Sequence, residues 1–335
     1  MTITPPTVRS DENGLIARYF APWAGYGADR LRDDAATLVP SPGCDLVLTA
    51  DAIVAGVHYL AGDPPASIGR KALGVNLSDI AAKGAMPRGF LLTLALPDDW
   101  TEAWLAGFAD GLREAATAFD CPLLGGDTVR AAGPALIGVT ALGEVPRGSM
   151  VRRMSAEIGD VLCVSGTIGD AALGLLALNG VMPEWAERLG REGRDVLIDR
   201  YRHPRPRSAL APLLRRHARA AMDVSDGLAG DLTKMLMGAG RTAEITLSDV
   251  PLSNAARAAL ALDPALISPI VTGGDDYEIL CAVAPDRVEA FIAEALSLGV
   301  PLARIGSVVE GDRPPAFRRP DGSEYAFATR SFSHF

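Results

Sequence analysis

Cysteine is scarce and scattered in this chain of 335 residues: Cys44, Cys121, Cys163 and Cys281 lie far apart, with no Cys-x-x-Cys pair. That spacing argues against a zinc site or a disulfide framework and suits a reducing cytoplasm, with the thiols as core residues. No apolar run reaches the roughly 18 residues that a membrane-crossing helix needs. The stretch Met1 to Asn13 is polar and has no basic start leading into an apolar segment, so no secretory signal is expected. Positive charge is also in deficit, with 32 Lys and Arg against 41 Asp and Glu and a formal net charge of −9. A nucleic-acid surface would show a basic patch instead. A polyanionic nucleotide stays compatible if metal ions and a few arginines screen its phosphates.

The familiar phosphate-handling phrases are missing too. There is no Gly-x-x-x-x-Gly-Lys-Ser/Thr loop, and Gly25-Tyr26-Gly27 lacks the third glycine of a dinucleotide turn. His-Arg-Asp, Asp-Phe-Gly and Gly-x-Ser-x-Gly do not occur. What the chain does have is aspartate in small-residue settings: Asp34, Asp51, Asp79, Asp127, Asp223, Asp226 and Asp275, each at or near the end of an apolar run. A carboxylate beside Gly or Ser is a hard oxygen donor of the kind Mg²⁺ prefers when it also binds phosphate. Several in one chain point to a multi-metal phosphate site.

The order of elements reads as α/β in two domains, residues 1–147 and 148–335, with the boundary in the loop of Pro146, Arg147, Gly148, Arg152 and Arg153. In the first half, strands are expected at Leu46 to Leu48, ending at Asp51, at Phe90 to Leu96 and at Ala135 to Leu142. Helices are expected at Ala66 to Gly84, with Ile68, Ala72, Val75 and Ile80 on one face, and at Thr101 to Phe119 with Thr101 as N-cap. In the second half, strands are expected at Val161 to Ser165, Ala243 to Leu247, Tyr277 to Ala284 and Ala303 to Val309. Helices are expected at Asp170 to Asn179, Pro183 to Arg202, Gly227 to Met237 and Pro285 to Leu298. Ser-Asp precedes Gly-Asp at nearly equal spacing in each half, a weak sign of two related units.

Each acid has a plainer reading beside the functional one. Asp34 is a metal ligand or part of a solvated turn. Asp51 ends a strand, where α/β sheets gather ligands, with Thr49 and the Ala50 carbonyl beside it. Asp79 is costly inside a small, apolar helix unless it is paired or metal-bound; otherwise it caps a new turn at Ile80. Gly125-Gly126-Asp127-Thr128 is a phosphate-binding turn or an ordinary tight one. Asp226, at a helix entry, could cap and ligate. His58 binds phosphate or bonds within its loop, and Arg153 is a phosphate clamp or a surface arginine.

Taken in order, several phrases resemble those of the thiamine-monophosphate kinase family. They are Asp33-Asp34-Ala35, Thr49-Ala50-Asp51 with Val54 to His58, Lys71-Ala72-Leu73 with Asn76-Leu77-Ser78-Asp79, Gly125 to Thr128, Asp223 to Leu228, Gly273 to Glu278 and His334-Phe335. The resemblance implies an aminoimidazole-ribonucleotide-synthetase-like fold: an N-terminal α/β domain whose sheet pairs with its twin to close a β-barrel in a homodimer, and a C-terminal α/β domain. It implies transfer of the γ-phosphoryl of ATP to thiamine monophosphate with several Mg²⁺ ions, and K⁺ as an assisting monovalent ion. Carried over, Asp34, Thr49, Ala50, Asp51, Asp79, Asp127, Asp223 and Asp226 match metal ligands. Gly126, Asp127, Arg153 and Ser225 match nucleotide contacts, and His58, Asp275 and Phe332 the thiamine-phosphate side. Three places depart from the family pattern: Arg30-Leu31-Arg32 replaces a glycine-rich approach, Ala50 replaces a hydroxyl residue, and Asp275 replaces Glu.

No enzyme nucleophile or base is expected. A phosphate monoester with a second pKa of about 6 is mostly dianionic at neutral pH, so the barrier is the meeting of two polyanions. The alternatives are another ATP-dependent synthetase of the same superfamily, though a selenophosphate synthetase would want a reactive cysteine before Cys44 and the hydrogenase-maturation relative a C-terminal one, both absent, and a non-catalytic nucleotide or metal binder.

Overall fold

The computed structural model describes residues 10–237 and 240–331. Among these, ten α-helices and ten strands follow in order: α1 Glu12–Tyr19, β1 Cys44–Val54, α2 Pro65–Ala82, β2 Met86–Leu96, α3 Glu102–Ala118, β3 Leu123–Arg130 and β4 Leu136–Pro146 come first. Then come β5 Val161–Ser165, α4 Asp170–Leu178, α5 Glu184–Arg202, α6 Ala211–His217, β6 Ala218–Asp223, α7 Leu228–Leu236 and β7 Arg241–Thr246. The chain closes with α8 Asn254–Leu262, α9 Ile267–Thr272, β8 Ile279–Val283, α10 Val288–Ser297, β9 Leu302–Glu310 and β10 Ala316–Arg318.

The chain forms two compact units. The first holds residues up to Pro42, Leu48–Asn76 and Pro87–Glu144; the second holds Gly43–Val47, Leu77–Met86 and everything from Val145. The division therefore cuts through β1 and α2.

In the first unit a four-stranded sheet runs in the order β1-β4-β2-β3, with β2 and β3 parallel. Thr101 caps α3 as expected, its hydroxyl accepting the Trp104 N–H at 3.1 Å. Helices α2 and α3 meet at glycines because no side chain fits between them. A Cβ on Gly111 would lie 2.0 Å from the Ala66 carbonyl oxygen, and one on Gly69 would lie 2.3 Å from that of Phe108. The expected single apolar face on α2 is an understatement: Lys71, Asn76 and Ser78 are buried along with Ile68, Ala72, Val75 and Ile80.

The second unit is a six-stranded sheet in the order β10-β7-β9-β5-β8-β6, antiparallel except where β10 joins β7. One core packs Leu162, Val164, Leu173, Leu232, Leu280 and Phe317, and another packs Cys163, Leu214, Cys281 and Phe291. Three of the four cysteines, Cys121, Cys163 and Cys281, are buried free thiols, in keeping with a core role. Burial pushes Cys121 and Cys163 up to about 12, so neither is a thiolate at neutral pH. The region 183–202 is interrupted at Gly190, which adopts φ 80° and bends the helix.

Candidate functional site

In the first unit, a cavity of about 750 Å³ is lined by Asp33, Asp34, Thr93, Gly126, Asp127 and Thr140, among others. Asp34 reaches it from the loop after α1, and Asp127 from β3. The Gly125-Gly126-Asp127-Thr128 segment is not a turn, as one expectation had it. It lies within β3, with Gly126 opposite Leu92 and Asp127 opposite Thr93. The glycine is needed for proximity, since a Cβ on Gly126 would sit 1.9 Å from the Leu92 carbonyl oxygen. Sequence alone suggested a turn because two adjacent glycines are poor strand formers; here the neighbouring strand demands them.

Asp51 does not end its strand, which continues to Val54. Its backbone is anchored from α2 instead: the Asp51 N–H donates to Asn76 Oδ1 at 2.8 Å, and Asn76 Nδ2 donates to the Ala72 carbonyl at 3.1 Å. Thr49 and exposed Ala50 precede it on β1. His58 makes the plainer of its two expected contacts, with Nδ1 accepting the Val54 N–H at 3.1 Å inside the loop. The approach to Asp34 is the most unusual backbone in the unit. Asp29, Arg30 and Leu31 take φ of 42°, 55° and 57°, the left-handed region that favours glycine.

In the second unit the acids gather around β6. Asp79 is not a cap, because the helix runs through it to Ala82. Asp223, the last residue of β6, is buried, and its carboxyl is pushed well above the usual range, first by that burial and then by the charge of Asp79. Lys83 opposes this. Its ammonium donates to the Ala221 carbonyl at 2.8 Å, and its pKa is lowered by burial despite the pull of Asp223 and Asp79. The charge of exposed Arg153 adds to the lowering of Lys83.

Asp226 does not cap α7 either. The cap position belongs to Gly227, at φ 104°, where a Cβ would meet the Thr272 carbonyl oxygen at 2.5 Å. The Asp226 carboxylate pairs with Lys234. Asp231, which sequence reasoning passed over, organises this loop: its Oδ2 accepts the N–H of Ser225 at 3.0 Å and of Asp226 at 2.9 Å. The one signal for it was a lone acid in an otherwise apolar turn of helix.

Asp275 sits on the facing segment at φ 71° and is held there by three contacts. Its N–H donates to the Ser225 carbonyl at 2.9 Å, the Tyr277 N–H donates to that of Val224 at 2.9 Å, and the Tyr277 hydroxyl donates to Asp275 Oδ1 at 3.3 Å. A Cβ on Gly274 would lie 2.2 Å from the Ser225 carbonyl oxygen, so the two segments run in backbone contact. Beneath them, buried Glu278 receives Arg200 Nη2 at 2.8 Å, Arg207 Nε at 2.6 Å and the Ser165 hydroxyl at 2.6 Å. A second cavity in this unit, about 810 Å³, opens beside those two arginines, and none of the residues expected at a site lines it. Phe332 lies outside the described residues, as do His334 and Phe335.

The acids thus come together as Asp34 and Asp127 about one cavity, Asp79 with Asp223, and Asp226 with Asp231 and Lys234. Among the described residues no three His, Cys, Asp or Glu side chains converge as a ready metal cage. The donor chemistry of the first two groups still suits a hard divalent ion: carboxylate oxygens facing a cavity, and a like-charged pair, with Asp223 buried and Asp79 partly so, that a cation would relieve.

Residues 32–145 match the family model for the N-terminal domain of AIR synthase related protein, and residues 157–317 match that for its C-terminal domain. The two α/β units are therefore those of an AIR-synthase-related protein. The thiamine-monophosphate kinase of Caulobacter vibrioides is 44% identical, over 86% of this chain and 80% of its own length. The crystal structure of thiamine-monophosphate kinase from Stenotrophomonas maltophilia K279a superposes with a TM-score of 0.79 at 39% identity, covering 88% of this chain and 91% of that one. AaThiL, solved in complex with AMPPCP and TMP, superposes at 0.73 with 28% identity, covering 98% and 99%. Within the wider class, the chain belongs to the thiamine-monophosphate kinase family, and it is a phosphotransferase.

Proposed function

We propose that this enzyme transfers the γ-phosphoryl group of ATP directly to thiamine monophosphate, forming thiamine diphosphate, with no phosphoenzyme. The observation that carries the reading is the cavity of about 750 Å³ that places Asp34 and Asp127 beside Gly126, in the unit matched by the N-terminal family model. Membership of the kinase family supplies the substrate pair, as does a relative bound to AMPPCP and TMP.

Asp34, Thr49, Ala50, Asp51, Asp79, Asp127, Asp223 and Asp226 would hold Mg²⁺, with K⁺ as an assisting ion. When bound, the metal supplies the charge neutralisation that two polyanions need before they can approach. The chain's own parts do the rest. Gly126, Arg153 and Ser225 contact the nucleotide, and Asp275 and His58 face the acceptor. Because the acceptor is already dianionic, no side chain has to remove a proton.

The same reading pairs two copies through the four-stranded sheet, closing a barrel. Its support is the apolar character of what the sheet exposes: Leu48 is 62% exposed, Leu91 41% and Val129 43%. An apolar patch of this kind on a sheet favours a protein partner over water. A cytoplasmic enzyme agrees with the thiol usage.

Incubation with ATP and thiamine monophosphate should yield ADP and thiamine diphosphate in equal amounts. ADP formation that does not depend on the thiamine compound would instead favour another synthetase of the class, and no turnover of either would favour a non-catalytic binder. Asp79→Asn and Asp127→Asn keep shape and lose charge, so turnover should fall by at least ~100-fold, about 2.7 kcal/mol of barrier. Wild-type rates at limiting Mg²⁺ in both variants would sink the metal assignment.

A further inference from the structure

Among the aspartates expected to bind metal, Asp226 carries a lysine directly on its carboxylate. Lys234 lies two turns further along α7, and its ammonium bridges Asp226 Oδ2 and Asp231 Oδ1, the second at 2.8 Å. Asp231 is fully buried, and its other oxygen is taken by the N–H groups of Ser225 and Asp226. Both oxygens of Asp231 are therefore spent on the chain. Asp226 is 36% exposed and Lys234 34%, so the pair is only partly reached by water and their attraction is only partly screened.

We propose that Lys234 is the resident cation of the Asp226 position: in the enzyme without nucleotide the ammonium occupies the place a divalent ion would take, and Asp226 ligates metal only once that ammonium is displaced. The proposal refines the metal-assisted kinase reading and rests on it for Asp226 being a metal candidate at all. Three features carry it. The ammonium and the carboxylate are in direct contact; a second carboxylate, fixed by two backbone N–H groups, holds the ammonium in place; and Asp231 and Lys234 stand three residues apart on α7, with Asp226 on the loop just before it. A compact, strongly hydrated ammonium is a fair substitute for a metal ion at a single carboxylate oxygen. The Asp79 and Asp223 pair differs, because the neighbouring ammonium of Lys83 spends a hydrogen bond on the Ala221 carbonyl.

Mn²⁺ counting by electron paramagnetic resonance on the full chain without nucleotide tests this. Asp226→Asn should bind as many Mn²⁺ ions as the wild type, with affinities within two-fold. Lys234→Met should bind one more per chain, and the double variant should lose that ion again. A Mn²⁺ missing from Asp226→Asn, or an unchanged count in Lys234→Met, overturns the proposal. Should Lys234→Met fail to fold by circular dichroism, Asp226→Asn decides by itself, since Asn is nearly isosteric with Asp. The assay needs no turnover, so failure of the kinase reading would show separately, as absence of thiamine diphosphate from ATP and thiamine monophosphate.

Discussion

Glu144 and Arg88 illustrate how one buried charge depends on its partners. Burial would raise the Glu144 carboxyl, but the Ser41 N–H at 2.9 Å and the Arg88 guanidinium outweigh it and leave the pKa below its ordinary 4.5. A depressed acid stabilises the fold fully above its unfolded value, and that contribution fades as pH falls through the folded value. Arg88→Met should therefore cost about 1–3 kcal/mol at pH 7, less than for a fully buried pair because Arg88 is itself 31% exposed. In urea unfolding the gap from wild type should narrow as pH falls below the ordinary 4.5 and through the lower folded value; a gap independent of pH would refute the pairing. Arg30 offers the opposite case, an exposed side chain held at φ 55°. Left-handed backbone costs a non-glycine residue roughly 1 kcal/mol or more. After the added chain entropy of glycine is subtracted, Arg30→Gly should gain about 0.5 kcal/mol, seen as a rise in Tm.

At the scale of elements, the crossing of α2 and α3 makes a prediction whose sign is informative. On an isolated helix Gly→Ala gains up to about 1 kcal/mol. At Gly111 the new methyl would run into the Ala66 carbonyl, so Gly111→Ala should instead destabilise by about 1–3 kcal/mol in thermal unfolding. Long periodic segments such as α3 and the strand Val161–Ser165 were legible in the sequence almost to the residue, because local pattern and burial agree there. The strand β3 was not, since its glycines answer to Leu92 on another strand. Nor was α8, Asn254–Leu262, an alanine-rich helix whose Ser253 cap goes with three buried alanines rather than a bold apolar stripe. The site shows the same division. The aspartates that the fold brings together could be picked out by residue type and setting. Their partners, Asn76 for Asp51 and Lys234 for Asp226, were not, for a partner is chosen by the fold.

At the scale of the whole molecule, the sheet of the first unit and its exposed leucines set the expected assembly. If a second copy covers that face, Leu48→Asp with Leu91→Asp should turn a dimer into a monomer by light scattering, because a buried unpaired carboxylate is not tolerated at an apolar interface. A wild-type monomer at micromolar concentration would dismiss the paired sheet. The second unit carries a different consequence. The segment from Asp223 to Gly227 and the segment from Thr272 to Tyr277 touch through backbone at Gly274 and Gly227 and are laced by N–H to carbonyl bonds. One of them bears the acids assigned to metal and the other the acid assigned to the acceptor. Neither can gain or lose a residue alone without putting its partner out of step, so over evolutionary time the two stretches are bound to keep their lengths together, however freely the surface around them drifts.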